Sequence, residues 1–173
     1  EPTGKKYYSD YIRKYNTNKI YTYKSYLSYN IDGFIKKNEQ SYHDVKKLGY
    51  VFRKFNKNKI DYELKTLYDL SIRIFDMNPF YTDISFNDFC TLNKSMLKIV
   101  ESDFVVIVEK DNSPVAFSFA IPDYTPILQD SRIDSLAGKL KFMKNKNKSQ
   151  GFIYKTLGVS PKHRRIGIHE AMS

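Results

Sequence analysis

Residues 19–31 (KIYTYKSYLSYNI) alternate along the chain, with Tyr21, Tyr23, Ser25, Leu27, Tyr29 and Ile31 on one side. A period of two in aromatic and β-branched residues predicts a strand. Ahead of it, residues 7–16 predict a short helix, with Ser9 or Asp10 as N-cap and Tyr11, Ile12 and Tyr15 as its apolar side. Residues 32–49 are polar and charged, broken by Gly33 and Gly49, and read as a linker with one weak helix. Tyr50 to Phe55 predicts a second strand, and Asn56 to Asn58 a turn. Leu64, Leu67, Tyr68, Ser71, Ile74 and Phe75 then recur at helical spacing over 61–77, before Pro79.

The loop 78–84 ends in Ser85-Phe-Asn-Asp88, a serine with a carboxylate three residues on. This resembles a capping box and predicts a helix over 86–100. Phe104 to Val108 is an apolar strand. Lys110-Asp-Asn-Ser113 supplies turn residues, and Pro114 opens a returning strand that ends at Pro122-Asp123. A long connection, 124–150, carries a predicted helix from Ile133 to Met143 and a polar KNKNKS tail. The last strand is Phe152 to Val159. The order strand, strand, two helices, hairpin, connection, strand and helix predicts an α/β (α+β) fold on a mixed sheet, with ligands expected where strands end at helix N-termini.

Charge modifies this picture. The chain of 173 residues carries a net charge of +10, spread unevenly. Residues 1–60 hold 14 Lys/Arg against 5 Asp/Glu, residues 61–123 hold 5 against 11, and residues 124–173 hold 10 against 3. A basic–acidic–basic sequence is unlike the single basic face of a nucleic-acid module, so such a partner is disfavoured. Cys90 is alone, which excludes an internal disulfide. The histidines at 43, 163 and 169 are too few and too scattered for a metal site, and none is expected. No apolar run reaches 18 residues, so no transmembrane helix and no membrane partner are expected, and the expected location is the cytoplasm. The sequence starts without a Met and reads as a piece of a longer chain.

The final stretch concentrates the candidate chemistry. A strand runs into Pro161, then Lys162, His163, Arg164 and Arg165, then Gly167 opening a helix. Amides at a helix start have no intrahelical partner, and cations beside them suit a bound phosphate. Leu157-x-Val159-x-Pro161 followed by Arg164-x-x-Gly167-x-His169 resembles the signature of the GNAT superfamily of acyl-CoA-dependent N-acyltransferases, with His169 in place of the usual small residue. The likeness spans about residues 50–173, as the lobe, with 1–49 similar to the helix, strand and linker joining two lobes in larger bacterial members. As a GNAT-like lobe the chain is incomplete at its C-terminus.

The resemblance implies acetyl-CoA or another acyl-CoA as cosubstrate and an unidentified amine as acceptor. It places the cosubstrate on Leu157, Val159, Lys162, Arg164, Arg165, Ile166, Gly167, Ile168 and His169, with the Val159 amide as oxyanion donor. The strand Phe152–Val159 has no Asp or Glu, so no catalytic residue is assigned. Thr156 is a candidate for holding a water, and Asp123 and Tyr124 for facing the acceptor. A catalytically inactive GNAT-like scaffold lobe and a basic nucleic-acid-binding domain stand as the alternatives. Either a second copy or the remainder of the same chain is expected to cover the last strand.

Overall fold

The computed structural model describes residues 5, 7–15, 24, 26–130, 134–149 and 151–173. It divides into two compact units, residues 1–31 and 32–173. In the first, helix α1 (Tyr7–Lys14) contains Ser9 and Asp10 within its first turn, so neither is the N-cap. The strand expected over 19–31 lies largely outside the described residues. Lys24 and residues 26–30 carry no regular structure, and Ile31 begins a helix instead.

That helix, α2 (Ile31–Lys47), fills nearly all of 32–49, where a linker with one weak helix was expected. Its more buried positions, Asn38, Ser41, Tyr42 and Val45, have the spacing of one helical face. Only Tyr42 and Val45 are apolar, so the hydrophobic pattern is too sparse to reveal it. Gly49, at φ 82°, turns the chain into strand β1 (Tyr50–Lys54).

Helices α3 (Ile60–Phe75) and α4 (Phe86–Ile99) follow. Asp61 and Glu63 in the first turn of α3 complement its dipole. Leu64, Leu67, Leu70 and Ile74 form its buried stripe, each worth about 1.5–3 kcal/mol of apolar burial. At α4 the cap is as expected: Ser85 Oγ accepts the Asp88 amide at 3.1 Å and donates to Asp88 Oδ2 at 2.6 Å. Strands β2 (Val105–Lys110) and β3 (Ser113–Pro122) form the hairpin. Asp111 and Asn112 sit at φ 50° and 60°, the two left-handed residues that a tight two-residue turn requires.

The connection after β3 folds as α5 (Thr125–Asp130) and α6 (Leu136–Asn145). Ser135 Oγ caps α6 by accepting the Gly138 amide at 3.0 Å, so this helix starts later than the expected Ile133, and 131–133 lie outside the described residues. Strand β4 (Phe152–Val159) is last in a four-stranded sheet of order β1-β2-β3-β4. Every pairing is antiparallel, so the mixed sheet of the sequence reading gives way to an antiparallel one. The connections explain this. A tight turn reverses the chain between β2 and β3, and the helix pairs α3–α4 and α5–α6 return it antiparallel between β1 and β2 and between β3 and β4.

The sheet is covered on both faces. α3 and α4 pack on one, against Ile107, Phe117 and Phe119. The other buries Val108, Ala116 and Val159 with Val45 of α2 and with Ile168 and Met172 of the terminal helix α7 (Ile168–Met172). Alternating side chains of β2 and β3 supply the two cores. Cys90 is half-buried beside the first core. Among the described residues, no helix is long and apolar enough to cross a membrane.

Candidate functional site

Three pieces of chain meet beyond the C-terminal end of β4: the end of α3, β4 itself and the loop leading to α7. They surround a cleft of about 880 Å³. Gly158 lets the helix and strand approach, because a Cβ there would lie 2.6 Å from Ile74 Cγ2. Arg164 fastens them. Its Nε donates to Val159 O at 2.9 Å and its Nη2 to Ile74 O at 3.1 Å. Ile74 lies in the last turn of α3, where carbonyls lack intrahelical donors and a cation meets the negative end of the dipole.

The register of β4 determines which main-chain groups face the open side. The Ser160 amide donates to Val115 O at 2.8 Å, so the pairs Gly158–Phe117 and Thr156–Phe119 are the hydrogen-bonded ones. Leu157 and Val159, opposite Ser118 and Ala116, therefore turn their amides and carbonyls away from β3. The Arg164 bond to Val159 O agrees with that direction.

After Val159 the chain makes one short turn, Pro161–His163, and enters a loop with two left-handed residues. Arg165 has φ 66° and Gly167 φ 87°. The first is uncommon for a residue with a Cβ. At Gly167 an added Cβ would meet Val45 Cγ2 at 3.6 Å and Ser41 Cβ at 3.8 Å, both ordinary contacts, so the backbone angle rather than space is what favours glycine. Burial of Ile168 and Met172 anchors α7 on the sheet. Its first amides have no acceptor within the helix.

Of the residues expected to hold a cosubstrate, Leu157, Val159, Arg164, Arg165, Gly167, Ile168 and His169 line this cleft, and Lys162 and Ile166 lie outside its lining. Both loop arginines are exposed, but Arg164 is engaged with two carbonyls, which leaves Arg165 as the guanidinium oriented by no such bond. Sequence reasoning missed Ser41, Met77 and Asn78 in the lining. It also missed the partner of His163: Nδ1 lies 2.9 Å from the Tyr50 hydroxyl, with the rings edge to face at 5.8 Å. Burial raises the pKa of Tyr50, with Asp111 adding to the shift.

A second cleft, of about 710 Å³, adjoins the first and shares Phe75 and Leu157 with it. Thr156 lines this second cleft. Asp123 and Tyr124 line neither. Asp123 Oδ1 accepts the Thr125 amide at 2.9 Å, and these Thr125 contacts hold its carboxyl below the ordinary range. The Tyr124 ring packs edge to face on Phe142 at 5.3 Å. Comparison with known proteins adds no relative: no family model, curated protein or solved structure matches this chain.

Proposed function

We propose that this chain is a GNAT-type lobe that binds acetyl-CoA or another acyl-CoA and transfers the acyl group to an amine. One observation carries the reading: Leu157 and Val159, whose main-chain groups turn away from β3, line one cleft together with Arg165 and with Gly167, Ile168 and His169 at the start of α7. An acyl-CoA has matching parts in that order. Its amide-rich pantetheine arm suits strand-like pairing with β4. Its diphosphate suits free amides next to a guanidinium. The Val159 amide, at the strand end, suits the oxyanion formed when an amine attacks a thioester. In that step the neutral amine nitrogen bonds to the thioester carbon, the C–S bond breaks, CoA leaves as the thiolate, and the surplus proton on nitrogen passes to water.

Titration calorimetry with acetyl-CoA tests this. A saturable isotherm is expected, and Arg165→Ala weakens it about tenfold, as loss of one charge-assisted phosphate contact would. Equal weakening for CoA and dephospho-CoA places Arg165 on the diphosphate; weakening confined to CoA places it on the 3′-phosphate. Absence of any binding heat, with no protection against thermal unfolding, rejects the reading.

The scaffold alternative draws on β4, which has no carboxylate. Binding of acetyl-CoA without thiol release across a panel of amines would favour it.

A further inference from the structure

The second cleft has walls of a different character from the first. Phe75, Tyr81, Ile84, Phe89 and Leu92 give it an apolar side that includes three aromatic rings, beside the uncharged polar residues Ser71, Thr82, Asn93 and Thr156. One charged side chain, Lys155, stands in that lining. Lys155 is the extra residue of a β-bulge, because the β3–β4 register shifts between Phe119 and Ala120 and leaves it unpaired. A bulge of this kind re-aims a side chain.

The Lys155 ammonium lies 5.3 Å above the Phe119 ring and 3.7 Å from Met96 Sδ. Thioether sulfur is a weak acceptor and an ammonium carries three donors. Among the described residues no carboxylate lies within ion-pair distance of it. A cation on an apolar cleft that supplies no counter-charge suits a ligand that brings its own anion.

We infer that this cleft is the acceptor site of the reaction proposed above, on which the inference rests, and that the acceptor is an amine bearing a carboxylate and an aromatic or branched apolar body. Its volume falls in the range of small-molecule sites. With the carboxylate at Lys155 and the apolar body against Tyr81 and Phe89, the amine end lies toward Phe75 and Leu157. Those are the residues through which the two clefts adjoin. A thioester held along β4 would meet it there.

The test uses 3-phenylpropanoate and its uncharged twin, 3-phenylpropanamide, titrated into the full chain by ligand-observed NMR. The carboxylate is expected to bind about tenfold more tightly than the amide, a difference of one charged contact. Lys155→Met, which keeps the apolar stem at an exposed position, brings the two affinities together, and Lys155→Arg preserves the preference. Equal affinities in the native chain, or a preference that survives Lys155→Met, overturn the inference. Acetyl-CoA is titrated into the same samples. If acetyl-CoA binds and 3-phenylpropanoate does not, the acceptor inference alone falls. If acetyl-CoA fails to bind, the acceptor role falls together with the transferase reading.

Discussion

A Cβ at Gly158 would sit 2.6 Å from Ile74 Cγ2 and 3.1 Å from Phe75 Cζ, against a helix that is itself packed into the core. Gly158→Ala is therefore expected to destabilise the protein by about 1–3 kcal/mol, the range for overpacking. Adding Ile74→Ala removes the clashing methyl, so the double variant should unfold in urea at a higher midpoint than the two separate losses imply. Strict additivity would show that helix and strand are not in contact there. Arg53 offers a charged counterpart. It donates to Glu63 Oε1 at 2.7 Å and to Glu109 Oε1 at 2.6 Å, and Glu63 is 2% exposed. Burial alone would pull the Arg53 pKa down, but the Glu109 and Glu63 hydrogen bonds outweigh it and hold the pKa above its usual value. Arg53→Met should cost about 3 kcal/mol or more, because it strands a buried carboxylate, and Glu63→Leu in the same chain should return part of that loss. An Arg53→Met variant with an unchanged urea midpoint would refute the ion pair. Residue type announced some of these roles. Glycine at 167 was expected to open the last helix, and it stands at the N-cap of α7. Nothing in the sequence marks Arg165 as left-handed, or ties Arg164 to a carbonyl ninety residues away.

At the scale of elements, β4 and α7 are joined by one phenol. The Tyr154 hydroxyl shares its one proton between Ser173 O at 2.8 Å and Met172 O at 3.2 Å. Burial raises its pKa above the ordinary value of 10.0. An unfolded chain would give up that proton near the ordinary value, whereas the folded chain retains it. The contribution is thus complete below about pH 10 and is lost as pH climbs through the folded-state pKa. Urea midpoints should stay nearly level up to about pH 9 and fall as pH rises through about 10 and above, and Tyr154→Phe should show a shallower fall. Tyr50, Tyr81 and Tyr124 are shifted the same way by burial, so the variant loses only its own share of the slope. Equal slopes in the two proteins would mean the phenol titrates as if exposed. Strongly periodic elements were the legible ones. The stripe of α3, the serine cap of α4 and the Asp-Asn turn of the hairpin each carried its own local signal. α2 had only a weak one, since half of its inward positions are polar and its burial comes from partners far along the chain.

At the scale of the whole molecule, strand identity was readable, but strand direction was readable only in the β2–β3 hairpin. Four of the expected strands pair in sequential order, yet outside the β2–β3 hairpin their directions depend on how the intervening helices return the chain, which no local pattern records. The cleft at the end of β4 was half visible for the same reason. The loop that lines it is contiguous, and the sequence reading found it there. The opposite wall is brought from α2 and the end of α3, where only folding makes the connection. Arg164 links the strand end and the end of α3 with two hydrogen bonds, both to main-chain oxygens. Those two walls are thereby preorganised. A guest entering between them has little reorganisation to impose, and the entropic penalty of setting their spacing has already been met when the chain folds.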